Sequence, residues 1–154
     1  MKISTHLNLA EVTRSDSAKR HGIDNTPTAE HLENFKLLAE KVFEPIRLHF
    51  KEPIFISSGY RSEALNKLIK GSSSSQHCKG QAIDIDMDAS KGGVTNKMVF
   101  DFIKDRLEFD QLIWEFGTDA NPDWVHVSYA KTGNRKQKLK AVRVGGKTVY
   151  QTIP

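Results

Sequence analysis

Three residues of this chain have the types and spacing that metal chemistry needs: His77, Asp84 and His126. The first two lie in "SSSSQHCKGQAIDID", residues 72–86, and the third in "WVHVSY", residues 124–129. Two imidazoles and a carboxylate are common protein ligands of a catalytic zinc ion, which keeps a further position open for water. Such an ion lowers the pKa of its water to about 7 and polarises a carbonyl. Asp123, three residues before His126, is placed to take a proton from that water. Spacing alone leaves a second reading standing. In it His77 is a loop residue, His126 a strand residue hydrogen-bonded in place, Asp84 a turn or ion-pair partner, and Asp123, after Asn121-Pro122, a turn residue. His6, His21, His31 and His49 have no comparable setting. Cys78 reads as a free, partly buried thiol, because adjacent side chains in an extended segment point apart.

The elements that would carry these residues can be read from periodicity. In "QAIDIDM" the alternation puts Ile83, Ile85 and Met87 on one face and Ala82, Asp84 and Asp86 on the other. Asp86 is then either a group that orients a ligand histidine or a solvated carboxylate. Gly80 lets the chain turn back between His77 and this strand. In "WVHVSY" the inward faces of Val125 and Val127 aim His126 the opposite way. "IFISSGYR" reads as a strand running into a Ser-Gly turn, and "QLIWEF" as another strand. A helix is expected after Thr26 as cap with Pro27 at its first position, carrying Leu32, Phe35, Ala39, Val42, Phe43 and Ile46; Pro45 would kink or end it. Ser62 can cap a second helix with Gly71 as its stop, and Thr95 to Leu107 a third, with Val99, Phe102 and Ile103 inward. Finally "LKAVRV", Gly145-Gly146 and "KTVYQ" form a hairpin. Helices come first and strands mainly later, so the class is α+β. Trp114 and Trp124 suit either core packing or a groove wall.

Length and composition narrow the possibilities. The 154 residues, 38% hydrophobic and 27% charged, fit one domain, taken as residues 1–154 with a basic hairpin at about 131–154. One cysteine excludes an internal disulfide and a zinc site made of several thiolates. Net charge is +4, with Lys131, Arg135, Lys136, Lys138, Lys140, Arg143 and Lys147 crowding the C-terminal end. That cluster is either a solvated basic face or an attractor of a polyanion such as nucleic acid, anionic lipid or cell-wall polymer. No recognised nucleic-acid motif accompanies it. No apolar run approaches membrane-spanning length, and "MKISTHLNLAEV" lacks the apolar stretch of a signal peptide.

"SGYRSEALN", "SSQHCKGQAIDID" and "WVHVSY", in that order, resemble the D-Ala-D-Ala carboxypeptidase-type zinc peptidases, and most closely the short single-domain members common in phages and prophages. The resemblance extends upstream through "NTPTAEHLENFKLLAEKVFEPIR" and covers roughly residues 5 to 130. It implies the Hedgehog/DD-peptidase fold, with helices packed on a central, mainly antiparallel sheet. It implies His77, Asp84 and His126 as ligands of Zn2+ and Asp123 as general base. Many relatives carry Glu there, and the shorter reach of Asp keeps Glu115 as the alternative base. Arg61 matches an arginine that contacts the substrate and stabilises charge on its carbonyl oxygen, and Ser75 a substrate-side residue. The activity implied is hydrolysis of peptidoglycan stem peptides, by a carboxypeptidase or endopeptidase acting as a monomer, without nucleic acid or membrane insertion. A non-catalytic cell-wall-binding or virion module of the same fold is the alternative. A protein made in the cytoplasm without a signal peptide would reach the wall after release, as a phage endolysin does, or travel with a virion.

Overall fold

A computed structural model describes residues 1–154. In chain order the elements are helices α1 (Leu9–Thr13), α2 (Asp16–Arg20) and α3 (Ala29–Leu38), a π-helical turn (Ala39–Phe43), α4 (Glu44–Phe50), strand β1 (Ile56–Ser58) and helix α5 (Glu63–Leu68). A 3-10 turn (Gln76–Lys79), β2 (Ala82–Ile85), α6 (Asn96–Arg106), β3 (Gln111–Glu115), β4 (Trp124–Ser128), β5 (Gln137–Val144) and β6 (Lys147–Thr152) follow. No helix is long and apolar enough to cross a membrane.

The six strands form one sheet in the order β1-β2-β4-β3-β5-β6. Every neighbouring pair is antiparallel except β3 and β5, which run parallel. One face of the sheet is covered by helices. Ile83, Ile85, Leu112, Trp114, Val125 and Val127 point into a core shared with Phe35, Leu38, Val42, Phe43 and Ile46 from the α3–α4 region and Val99 and Ile103 from α6. The other face is open. A single-residue slip of β4 would turn Val125 and Val127 out of that core at about 1.5–3 kcal/mol each, and would bury His126 in their place. Hydrophobic burial therefore fixes the register that aims His126 at the open face.

Local details depart from the sequence expectations in three places. Helix α3 is capped by Thr28, whose hydroxyl accepts from the His31 N–H, while His31 Nδ1 accepts from the Thr28 N–H. Thr26 is engaged earlier, donating to the Asp24 carboxylate through both its N–H and its hydroxyl. Pro45 does not end the helical path. It sits in the first turn of α4, just after the π-helical turn, where a proline's missing N–H is least costly. Helix α5, capped by Ser62, stops at Ile69, and Lys70 rather than Gly71 takes the left-handed conformation. The expected bounds of α6 hold, with Thr95 as its cap, and Phe100 is buried beside Val99 and Ile103 whereas Phe102 is only partly covered.

Candidate metal centre and active-site cleft

His77, Asp84 and His126 converge on the open face. Each offers one ligand atom, and the three atoms lie within 4.8 Å of one another. Asp84 and His126 are register partners on β2 and β4. Asp84 Oδ1 lies 3.0 Å from His126 Nδ1 and 3.2 Å from His77 Nε2. His77 is almost wholly buried, and its Nδ1 donates to the Gly59 carbonyl at 2.7 Å. That bond orients the ring and turns Nε2 toward the site, the usual device for positioning a metal-ligating imidazole. Burial by itself would raise the Asp84 carboxyl. The charge on His77 and hydrogen bonds from both imidazoles outweigh it and hold Asp84 well below the usual carboxylate range. A buried carboxylate that stays ionised between two imidazoles is a donor set suited to a zinc ion.

Two glycines make this approach possible. Gly80, at φ +71°, ends the 3-10 turn, and a Cβ there would stand 2.4 Å from the His31 carbonyl oxygen. A Cβ on Gly59 would lie 2.3 Å from the Val12 carbonyl oxygen. The Gly59 carbonyl can therefore seat His77 only because α1 presses directly on the bare backbone. Ser75 caps the 3-10 turn, its hydroxyl oxygen accepting from the His77 N–H at 3.3 Å. Its O–H remains available to donate.

The triad sits in a cleft of about 980 Å³ whose lining also includes Arg61, Ser75, Glu115, Trp124 and, from the β5–β6 hairpin, Arg143 and Tyr150. Arg61 has one side-chain hydrogen bond, 3.3 Å to the Asn66 carboxamide, and its buried Nε has no partner. Glu115 is buried, and burial together with the negative charge of Asp84 pushes its carboxyl up to about 7; His126 and Arg61 pull the other way. A carboxyl poised there exchanges protons readily near neutrality.

The two candidate bases are placed differently. Asp123 is exposed and lies outside the cleft lining. Asp123 lies in the bend just before β4, one residue ahead of the first strand residue Trp124, so the alternation of the strand does not extend to it. Its main chain is pinned there, the N–H donating to Glu115 O at 2.9 Å and the carbonyl accepting from Asn96 Nδ2 at 3.0 Å. Its carboxylate contributes to the negative charge that raises Asp88, behind the larger effect of Asp86. Glu115 has the parity of Ile113, the register partner of His126, and so faces the same side of the sheet as His126. The strand alternation of "QLIWEF" contained that signal.

Other side chains resolve plainly. Asp86 accepts from Asn96 Nδ2 and from the Asp88 N–H, and orients no ligand histidine. Cys78 is half-buried outside the cleft lining, with its thiol pushed up by burial. Trp114 belongs to the core, whereas Trp124 walls the cleft beside Phe116. In the basic C-terminal segment, Arg135, Lys136 and Lys140 pair with Asp110, Glu108 and Asp119. Lys131, Lys138 and Lys147 form no ion pair, and Arg143 lies over the Phe116 ring, 4.6 Å from its centroid.

Residues 5–128 match the family model described as Peptidase M15. No curated protein matches the chain.

Proposed function

Because the chain belongs to the M15 peptidase family, we propose that it is a zinc-dependent peptidase that hydrolyses peptidoglycan stem peptides, on the Hedgehog/DD-peptidase fold, with Glu115 as its base. One observation carries the reading: a buried carboxyl poised near neutrality shares a cleft with a preassembled His77-Asp84-His126 set. A zinc ion held by those three residues would supply a Lewis acid that polarises the scissile carbonyl and acidifies a water.

The rest belongs to the chain itself. Glu115 takes the proton from the attacking water as the new C–O bond forms. It returns that proton to the amine nitrogen as the C–N bond breaks. Arg61, permanently charged and short of hydrogen-bond partners, holds the negative charge that develops on the carbonyl oxygen. The free O–H of Ser75 is offered to the substrate from the rim. Three of the seven C-terminal cations are neutralised by acids, so attraction to an anionic wall would rest on Lys131, Lys138, Lys147 and Arg143. Release with a phage lysis system is the setting this reading favours.

Purified peptidoglycan, digested with zinc-loaded protein and analysed by mass spectrometry, tests it. Fragments with new amino and carboxyl ends within the stem peptide are expected, and a chelator should abolish them. Intact stem peptides after prolonged digestion with fully zinc-loaded protein would rule the reading out.

A further inference from the structure

The family match ends at residue 128, yet part of the cleft wall comes from beyond it. Strand β6 is exposed along its length and forms the edge of the sheet. Two of its residues, Thr148 and Tyr150, nevertheless line the same cleft as the metal ligands. Register explains how. Trp124, Glu115, Ala141 and Tyr150 are successive cross-strand partners on β4, β3, β5 and β6, so they form one row across the open face. Glu115 and Tyr150 are two strands apart, about 10 Å between Cα atoms. In that row only the Ala141 methyl stands between them. A glutamate and a tyrosine pointing into the same space across a methyl leave room for an extended peptide main chain.

The two edges of the sheet then contribute different groups. Arg61 follows β1, on the His77 side of the ligands. Tyr150 lies beyond Glu115, on the other side. The group that returns a proton to the departing amine must be near that amine, so the amine and the residues after it lie on the Glu115 side. Within the row that starts at Glu115, Tyr150 is the next polar residue in that direction. Partial desolvation of its ring in the cleft, and the negative charges of Glu115 and Asp84, push its phenol above the ordinary range, so it remains a donor.

We propose that Tyr150 is a substrate-binding residue, whose hydroxyl donates a hydrogen bond to a main-chain carbonyl on the leaving-group side of the scissile bond. The proposal rests on the peptidase reading above. It makes the C-terminal hairpin part of the specificity apparatus, a subsite for the peptide C-terminal to the cut.

The test compares wild type with Tyr150→Phe on two substrates: a stem peptide that is cleaved, and the same peptide shortened by one residue on the leaving-group side. With the longer peptide, kcat/KM of Tyr150→Phe should fall about tenfold to a hundredfold, as for loss of a specific hydrogen bond. With the shorter peptide the two proteins should converge, while zinc content and Tm stay at wild-type values. Wild-type kcat/KM in the variant overturns the proposal, as does an equal loss on both peptides. Loss of zinc or of folding in the variant also overturns it, by placing Tyr150 in the framework instead. If wild type cleaves neither peptide, nor the wall itself, the peptidase reading fails and this subsite falls with it; failure confined to the variant comparison leaves the peptidase reading intact.

Discussion

On the β1–β2–β4 side of the cleft, the metal ligands are buried, hydrogen-bonded and backed by the helical layer. On the β5–β6 side, the strands lie at the sheet's edge and become exposed toward the Gly-Gly turn, with cations along them. The first side holds three donor atoms to within ångströms, as metal binding requires. The second surrounds a small apolar floor of Ile113, Leu139 and Ala141 with polar and aromatic groups, which suits a variable peptide. On the proposed reading, chemistry would sit where the core makes the backbone rigid, and recognition where side chains face solvent. Glu115 lies on β3, the strand between them.

The largest effect is expected at Glu115. Glu115→Gln should lower kcat by about 10³-fold, the scale of a lost general base, while zinc remains bound at one equivalent by elemental analysis. The same variant makes a stability prediction. In the zinc-free protein the folded carboxyl is raised from its ordinary 4.5 to about 7. The native state therefore favours the protonated form, and ionisation costs stability progressively as pH rises from 4.5 through 7. Zinc-free Glu115→Gln should be more stable than wild type above pH 7 by thermal melts, and the difference should disappear below about 4.5. A wild-type protein equally stable at both ends of that range would show that Glu115 is not held in its buried setting.

A smaller effect is expected where the hairpin is anchored. The Arg135 guanidinium donates to both oxygens of buried Asp110, at 2.9 and 2.8 Å, and the Arg135 N–H adds a third bond at 3.1 Å. Arg135→Ala should cost about 1 kcal/mol, allowing for solvent around the half-exposed guanidinium, or roughly 2–4 °C in Tm. The hydrogen bonds from Arg135 hold Asp110 below its ordinary value. This contribution should therefore be present at neutral pH and vanish as acid protonates the carboxylate. KM should rise more than kcat falls, because the peptide-binding side loosens while the ligands stay in place. The smallest effect belongs to Asp123→Ala: kcat within about threefold of wild type, because the residue is exposed and outside the cleft lining. A drop on the scale of Glu115→Gln would return the role of base to Asp123.

Much of the ligand side was legible in the sequence. Alternating β-branched residues in "AIDID" and "WVHV" dictate which face is buried, and two-residue periodicity then orients Asp84 and His126 without further information. The Gly145-Gly146 turn was legible for a related reason, since both glycines take positive φ, at 57° and 79°. The different settings of the two candidate bases were not legible from spacing, because an interval of three residues does not say whether Asp123 belongs to the strand that carries His126 or to the bend before it. Nor was the approach of the hairpin to the cleft. Its partner is β3 rather than the preceding β4, and a parallel pairing between strands separated by another strand leaves no local sequence mark. Tyr150 enters the cleft only through that pairing.

The seating of His77 on the Gly59 carbonyl, itself pressed against Val12, has a thermodynamic consequence. The entropy of gathering ligands 42 positions apart is met by folding of the core, so capture of an ion starts from an organised site. Zinc bound there would act as an added ligand of the native state, raising stability in proportion to the logarithm of its free concentration. A chelator should lower the melting temperature gradually and leave a folded protein behind, unlike small zinc domains that exist only with their ion.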